Sequence, residues 1–205
     1  MKPIIYTLIC LTYSFSTFSQ QKFETSQKES AIFWKGGLNA AGFGGHEGTL
    51  KLKNGNLSTD SKGKITGGTL EIDMNSITNT DIKQEKGQRE LEDHLKNTDF
   101  FEVKKYPIAS FKIVKILPVK TPNNYSIQGD FSMKGITNRI YFQAIILHEK
   151  DKISAKSELM IYRSQWGITY KNGTAWLSNM LNNMKNDLIA DEIMIKLDLV
   201  FLKGK

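Results

Sequence analysis

The side chains best suited to chemistry in this sequence are two charges at the ends of predicted strands. Arg163 follows Ile161 on the apolar face of one strand, and Asp191 begins the last strand on the face of Ile193. Buried charges usually need a partner, so the pattern predicts that the two charges pair and close one end of the fold. The alternative is that Arg163 also binds a ligand oxygen, for which its planar guanidinium is suited.

Other patterns for catalysis or metal binding are weak. His46, His94 and His148 have neither the spacing nor the neighbouring carboxylates of a known zinc motif. The sequence has no G-x-S-x-G nucleophile elbow, and the glycines at 42–45 lack the helix and Lys-Ser/Thr of a phosphate-binding loop. We therefore predict no catalytic residue, no metal, no covalently bound cofactor and no nucleic-acid partner.

The N-terminus has the pattern of a secretory signal peptide. Lys2 supplies a positive charge, residues 4–11 form a short apolar run, and small side chains precede a cleavage site before Gln20. This predicts a signal peptide over residues 1–19 and an exported protein, periplasmic or secreted; an uncleaved membrane anchor is the alternative. Cleavage removes Cys10, the only cysteine, and lowers the formal net charge from +7 to about +6.

Alternating strands make up most of the remaining chain. Residues 20–29 read as a loose polar leader, and residues 30–203 as one all-β domain of about eight strands. Short turns and one apolar face per strand predict an antiparallel β-barrel, because closure removes unprotected edges. Asn54-Gly55 is the strongest hairpin signal in the chain.

The main interruption of this pattern is Leu91–Phe111. Leu91 and Leu95 lie one turn apart and predict a short helix, which Pro107 ends. Phe100 and Phe101 then form either a hydrophobic plug of the barrel interior or a lid on something bound there.

Two further features bear on the interior. Trp176, Met180 and Met184 predict a helix over Thr174–Lys185, packed on the barrel or, alternatively, in contact with a membrane. Small side chains on predicted inward faces suggest an unfilled tunnel, although they also suit bulges and tapered packing. These are Gly48, Gly68, Gly129, Ala144, Ala155 and Ser157.

Two segments and their flanks resemble the YceI-like family of exported, polyisoprenoid-binding bacterial proteins. The first is HLKNTDFFEVKKYP at residues 94–107, and the second is GDFSMKGIT at residues 129–137. Their combination is specific, and the similarity covers residues 29–202. The further matching residues are Trp34, His46-Glu47-Gly48, Asn54-Gly55, Gly68, Leu70, Ile72-Asp73-Met74-Asn75-Ser76-Ile77, Arg163, Gly167-Ile168 and Asp191.

This resemblance implies an extended, lipocalin-like β-barrel capped by one or two short helices. Its apolar tunnel would hold an isoprenoid-type chain, such as a quinone tail or a polyprenyl phosphate, for carriage or storage, without catalysis. The alternatives are an accessory protein that presents a quinone to a membrane redox partner, and a structural barrel with a filled core. Transient contact with a membrane surface and a homodimer are left open.

Nine residues are candidates for the ligand-binding surface, although ordinary core packing would also explain most of them. Arg163 would hold a phosphate or quinone oxygen, and the others would line the tunnel. The candidates are Arg163, Phe100, Phe101, Phe111, Phe131, Met133, Leu159, Trp166 and Trp34.

Overall fold

The fold is an antiparallel β-barrel. The computed structural model describes residues 20–37, 45–170 and 189–204. The predicted signal peptide, the glycine-rich residues 38–44 and the predicted helix Thr174–Lys185 lie outside this part of the chain. Within it are nine strands, one α-helix and a 3₁₀ turn at Arg163–Trp166. The elements are β1 (Gln21–Thr25), β2 (Ala31–Gly36), β3 (His46–Thr59), β4 (Ile65–Asn79), α1 (Glu85–Lys96), β5 (Ile108–Pro118), β6 (Asn124–Met133), β7 (Ile136–His148), β8 (Lys152–Tyr162) and β9 (Glu192–Lys203).

Nine strands occupy eight positions around the barrel. The sheet runs β3-β2-β9-β8-β7-β6-β5-β4, and pairing of β3 with β4 closes it. β1 and β2 share one position, because both pair with β3 on one side and with β9 on the other. The predicted closed barrel is therefore confirmed.

The predicted inward faces are also confirmed. In β6, Ile127, Phe131 and Met133 are buried, and in β9 Ile193 and Phe201 are buried. The alternating residues between them point outward, as the two-residue period of a strand requires. These side chains form one core with the buried residues of β2, β3 and β4.

The predicted hairpin at Asn54-Gly55 is wrong. Both residues lie inside β3, where a register shift after Leu52 accommodates them. The chain instead turns between β3 and β4 at Asp60, whose carboxylate accepts the backbone N–H groups of residues 62 and 64, both at 2.9 Å. Gly63 has φ +78°, which suits glycine in this turn. Pairing of β3 with β1, β2 and β4 keeps Asn54-Gly55 inside the strand.

Two boundaries also differ from the sequence-based expectation. Residues 21–25 of the predicted loose leader form β1, whose Phe23 is fully buried between β3 and β9. A single apolar residue among polar ones carries no detectable period, so the sequence does not reveal this strand. α1 begins at Glu85 and not at Leu91. The apolar pattern did not predict its first turns because they are polar and lie on the surface.

Candidate functional site

An apolar cavity occupies the half of the barrel next to α1, which we call the upper half. The volume of this main cavity is about 330 Å³, within the range of about 300–1,000 Å³ typical of small-molecule pockets. Its wall is mainly aliphatic and aromatic. The lining side chains from the strands include Ile32, Trp34, Leu50, Ile72, Met74, Phe131, Met133, Ile161, Ile193 and Ile195.

α1 and the loop that follows it form a roof over the main cavity. Leu91, His94 and Leu95 lie on one helix face at three- and four-residue spacing and line the cavity with Phe100 and Phe101. The backbone N–H of Phe101 donates to the carbonyl of Leu95 at 3.1 Å, which folds the loop back beneath the helix. Both phenylalanines are buried, so they form part of the cavity wall.

The turn between β6 and β7 holds this roof in place. The ammonium of Lys134 donates to the carbonyls of Thr98, at 3.1 Å, and Phe100, at 2.6 Å. Tyr106 packs on Gly135, where a Cβ atom would lie 2.8 Å from the tyrosine ring. The two segments that suggested the family are therefore in direct contact.

Arg163 places a buried positive charge on the main cavity. Its side chain lines the cavity and is only 1% exposed. The guanidinium donates to the carbonyls of Ile168, at 3.0 Å, Ile189, at 3.0 Å, and Ala190, at 3.1 Å, and lies 5.5 Å from the ring centre of Phe100. Burial lowers the pKa of Arg163 below its usual value, and the nearby charge of Asp191 acts against this change.

The predicted ion pair between Arg163 and Asp191 is wrong. The carboxylate of Asp191 accepts the backbone N–H of Ser164, at 2.9 Å, and the Ser164 hydroxyl. The backbone N–H of Arg163 donates to the carbonyl of Asp191 at 2.9 Å. The 3₁₀ turn after β8 causes this exchange of partners, because it brings the backbone of Ser164 to the carboxylate while neutral carbonyls surround the guanidinium.

A second polar group borders the main cavity at His46. Its Nδ1 atom lies 3.0 Å from a carboxylate oxygen of Asp81, and His46 lines the cavity. Burial acts to raise the pKa of Asp81, but hydrogen bonds from His46, the backbone N–H of Glu47 and Asn79 outweigh it. Together they lower the pKa of Asp81 to about 2. Asp81 is therefore a carboxylate at neutral pH.

A smaller cavity lies in the lower half of the barrel. This lower cavity has a volume of about 50 Å³ and is lined by Phe111, Phe142 and Ala144, among others. Phe111 packs on Phe142 with ring centres 5.5 Å apart. Phe23, Ile153 and Phe201 are at most 2% exposed and form the floor of the barrel, where Phe201 also lines the lower cavity.

The small inward residues do not create the main cavity, so this part of the tunnel prediction is wrong. A Cβ atom on Gly129 would lie 2.1 Å from the ring of Phe111, and one on Gly68 would lie 2.6 Å from Leu57. Large neighbouring side chains thus fill the space above these glycines. Gly68, Ala144, Ala155 and Ser157 line only the lower cavity.

The nine predicted ligand-binding residues take three positions. Phe111 lines the lower cavity, whereas Leu159 and Trp166 line neither cavity. Trp166 is fully buried, and its Nε1–H donates to the carbonyl of Phe131 at 3.2 Å. The six residues that line the main cavity are Trp34, Phe100, Phe101, Phe131, Met133 and Arg163.

Sequence reasoning missed two histidines of the main cavity because it considered them only as metal ligands. His94 lies three residues after Leu91, on the same face of α1, and His46 lies two residues before Gly48, on the same face of β3. Those periods would have placed both side chains inward. Among the described residues, no group of three or more His, Cys, Asp or Glu could hold a metal ion.

The fold and cavity define a class: a closed antiparallel barrel that encloses an apolar pocket beneath a helical roof. The chain belongs to the YceI-like domain family, whose model matches residues 22–201. A UPF0312 protein of Pseudomonas putida is 28% identical over 128 residues, which cover 62% of this chain and 61% of that protein. The match thus spans about three fifths of the length of this relative.

Two solved structures share the fold. BcnA of Burkholderia cenocepacia superimposes with a TM-score of 0.64 at 21% identity, covering 86% of this chain and 98% of that one. A polyisoprenoid-binding domain of Saccharophagus degradans, implicated in plant cell wall breakdown, gives 0.59 at 15% identity, covering 92% and 100%. In the described part of this chain, no helix has the length and apolar character needed to cross a membrane.

Proposed function

We propose that this protein binds an amphiphilic lipid with an isoprenoid-type chain and holds that chain in the main cavity. The observation that carries the proposal is the apolar cavity of about 330 Å³ inside a closed barrel. A barrel built only for stability would fill this space, because protein interiors are normally close-packed. The polyisoprenoid-binding domain of Saccharophagus degradans, which has the same fold, supports this class of ligand.

The hydrophobic effect would supply most of the affinity. Burying about ten chain carbons contributes about 8 kcal/mol, at about 0.8 kcal/mol per CH₂, before the costs of ordering the chain and the protein. An apolar chain needs no specific polar partner, so the cavity selects a chemical class of ligand. Contacts with the polar end of the ligand supply the finer recognition.

Arg163 is the group we assign to that polar end. Its guanidinium is buried on the cavity wall and is surrounded by neutral carbonyl oxygens rather than by a carboxylate in hydrogen-bonding contact. A quinone oxygen or a phosphate at this position would accept from a charged donor in a low-dielectric setting, where such bonds are strong. His94 and His46 supply further polar atoms at the cavity wall.

Binding of this kind serves carriage or storage of the lipid in an aqueous compartment. We propose that the protein acts after export, with residues 1–19 as its signal peptide, and that it acts by binding and not by catalysis. Sequestration needs only a shielded cavity and reversible access to it.

The test measures binding of two probes, a short-tailed prenyl quinone and farnesyl phosphate, to the purified full-length chain. Ile193→Trp places a large ring into the main cavity and is expected to weaken both probes at least tenfold. Met194→Trp is the matched control, because Met194 is the outward neighbour on the same strand and is 36% exposed. Failure of the unmodified protein to bind either probe, or equal effects of the two substitutions, would overturn the proposal.

The role of Arg163 is tested by comparing the two probes on one variant. Arg163→Met is expected to weaken farnesyl phosphate at least tenfold more than the uncharged quinone, because only the phosphate loses an ionic contact. The ratio between probes cancels any general loss of folded protein. An unchanged ratio would remove Arg163 from the assignment.

A further inference from the structure

The barrel wall is incomplete between β7 and β8. Backbone pairing between these strands covers only Ile145–His148 of β7 and Ile153–Lys156 of β8. Above Ile145, residues 136–144 of β7 still pair with β6, and residues 157–162 of β8 still pair with β9. The two strands therefore separate toward the upper half, and we call the gap between them the β7–β8 slit.

Few polar contacts cross this slit. At its lower end the hydroxyl of Ser157 donates to the carbonyl of Gln143 at 2.7 Å. At its upper end the side-chain amide of Asn138 donates to the carbonyl of Gln165 at 2.8 Å. Widening the slit between these points breaks no ladder hydrogen bond, so only side-chain packing and the two end contacts hold it closed.

The slit lies beside both cavities. On β8, Ile161 lines the main cavity and Ser157 lines the lower cavity, with Leu159 between them. Ile140 and Phe142 on β7 are also only half-buried, as Leu159 is. The inner surface of the slit is thus apolar.

The outer rim of the slit carries large apolar side chains among charged and polar ones. Tyr141 on β7 is 69% exposed and Met160 on β8 is 51% exposed. Met160 pairs with Met194 of β9, and Tyr162 lies two residues further along β8. The side chains of Met194 and Tyr162 are exposed. Large apolar side chains therefore border the slit on the outside as well as the inside.

We propose that the β7–β8 slit is a lateral portal through which the isoprenoid-type chain passes between a lipid surface and the barrel interior. Phe100 and Phe101 of the roof and Phe23, Ile153 and Phe201 of the floor are buried. The slit instead offers an apolar boundary next to both cavities, without a backbone ladder to break. This inference rests on the proposed function and adds the route of exchange to it.

The test locks the slit and measures the rates of exchange. Tyr141→Cys and Met160→Cys are introduced into the full-length chain with Cys10→Ser, and a bis-maleimide reagent links them across the slit. The matched control links Ile145→Cys to Lys156→Cys, where the strands are already paired. Uptake and release of a fluorescent prenyl probe are then followed by stopped-flow mixing against lipid vesicles.

Locking the slit is expected to slow both uptake and release at least tenfold and to leave the Kd within twofold, while the control link leaves all three unchanged. Ser157→Ala, which removes the hydrogen bond to Gln143, is expected to speed release without a cross-link. Wild-type rates in the locked protein would overturn the portal and leave the proposed function standing. Absence of probe binding by the unmodified protein would overturn both.

Discussion

The contact between Gly129 and Phe111 gives the sharpest test of how the interior is packed. A Cβ atom on Gly129 would lie 2.1 Å from Cζ and 2.2 Å from Cε2 of Phe111, and 2.7 Å from the carbonyl oxygen of Lys112. Carbon atoms in contact normally lie about 3.5–4.0 Å apart, so the ring of Phe111 must move by more than about 1 Å. Gly129→Ala is therefore expected to lower the free energy of unfolding by about 1–3 kcal/mol, the usual cost of overpacking.

Gly67→Ala is the matched control, because a Cβ atom on Gly67 meets nothing within 4 Å. This substitution is expected to be neutral or to stabilise by up to about 1 kcal/mol, since alanine loses less chain entropy than glycine. Urea unfolding, followed by circular dichroism, measures both changes.

A double-mutant cycle tests the assigned cause. In a Phe111→Leu background the ring is gone, so Gly129→Ala should cost at least about 1 kcal/mol less than it does in the wild type. Equal costs in the two backgrounds, or equal effects of alanine at Gly129 and Gly67, would refute this account of the packing.

Two further perturbations test the roof and the cavity rim. Asp81 has a folded-state pKa of about 2, below its usual 3.8, so its ionised form stabilises the protein above about pH 4, and this contribution is lost as the pH falls toward 2. The difference in melting temperature between wild type and Asp81→Asn should therefore shrink as the pH falls from about 4 to about 2. A constant difference would contradict the lowered pKa of Asp81. Lys134→Met removes the two hydrogen bonds to the roof loop and should cost about 1–2 kcal/mol in urea unfolding, with faster hydrogen exchange at the amide of Phe101, whereas Lys115→Met on the exposed face of β5 should not. Unchanged exchange at Phe101 would show that Lys134 does not hold the roof.

The sequence by itself determined the fold class and the faces of the long strands. Strict alternation in β6, β8 and β9 reports which side chains point inward, because successive side chains in a strand take opposite faces. It also placed Arg163 on an inward face, and two motif segments indicated the family. These are local properties, so they are visible without knowledge of what the strands pack against.

Only the tertiary structure decided where the interior is empty and which side chains contact one another. Glycines on inward faces suggested space, but Phe111 and Leu57 reach across from the neighbouring strands and fill it. Arg163 has carbonyl partners instead of Asp191, and Asn54-Gly55 lies within a strand. The sequence did not predict either outcome because both depend on the register of separate strands. Void volume and the gap between β7 and β8 arise from how separate strands interdigitate, and no period along one strand encodes that relation.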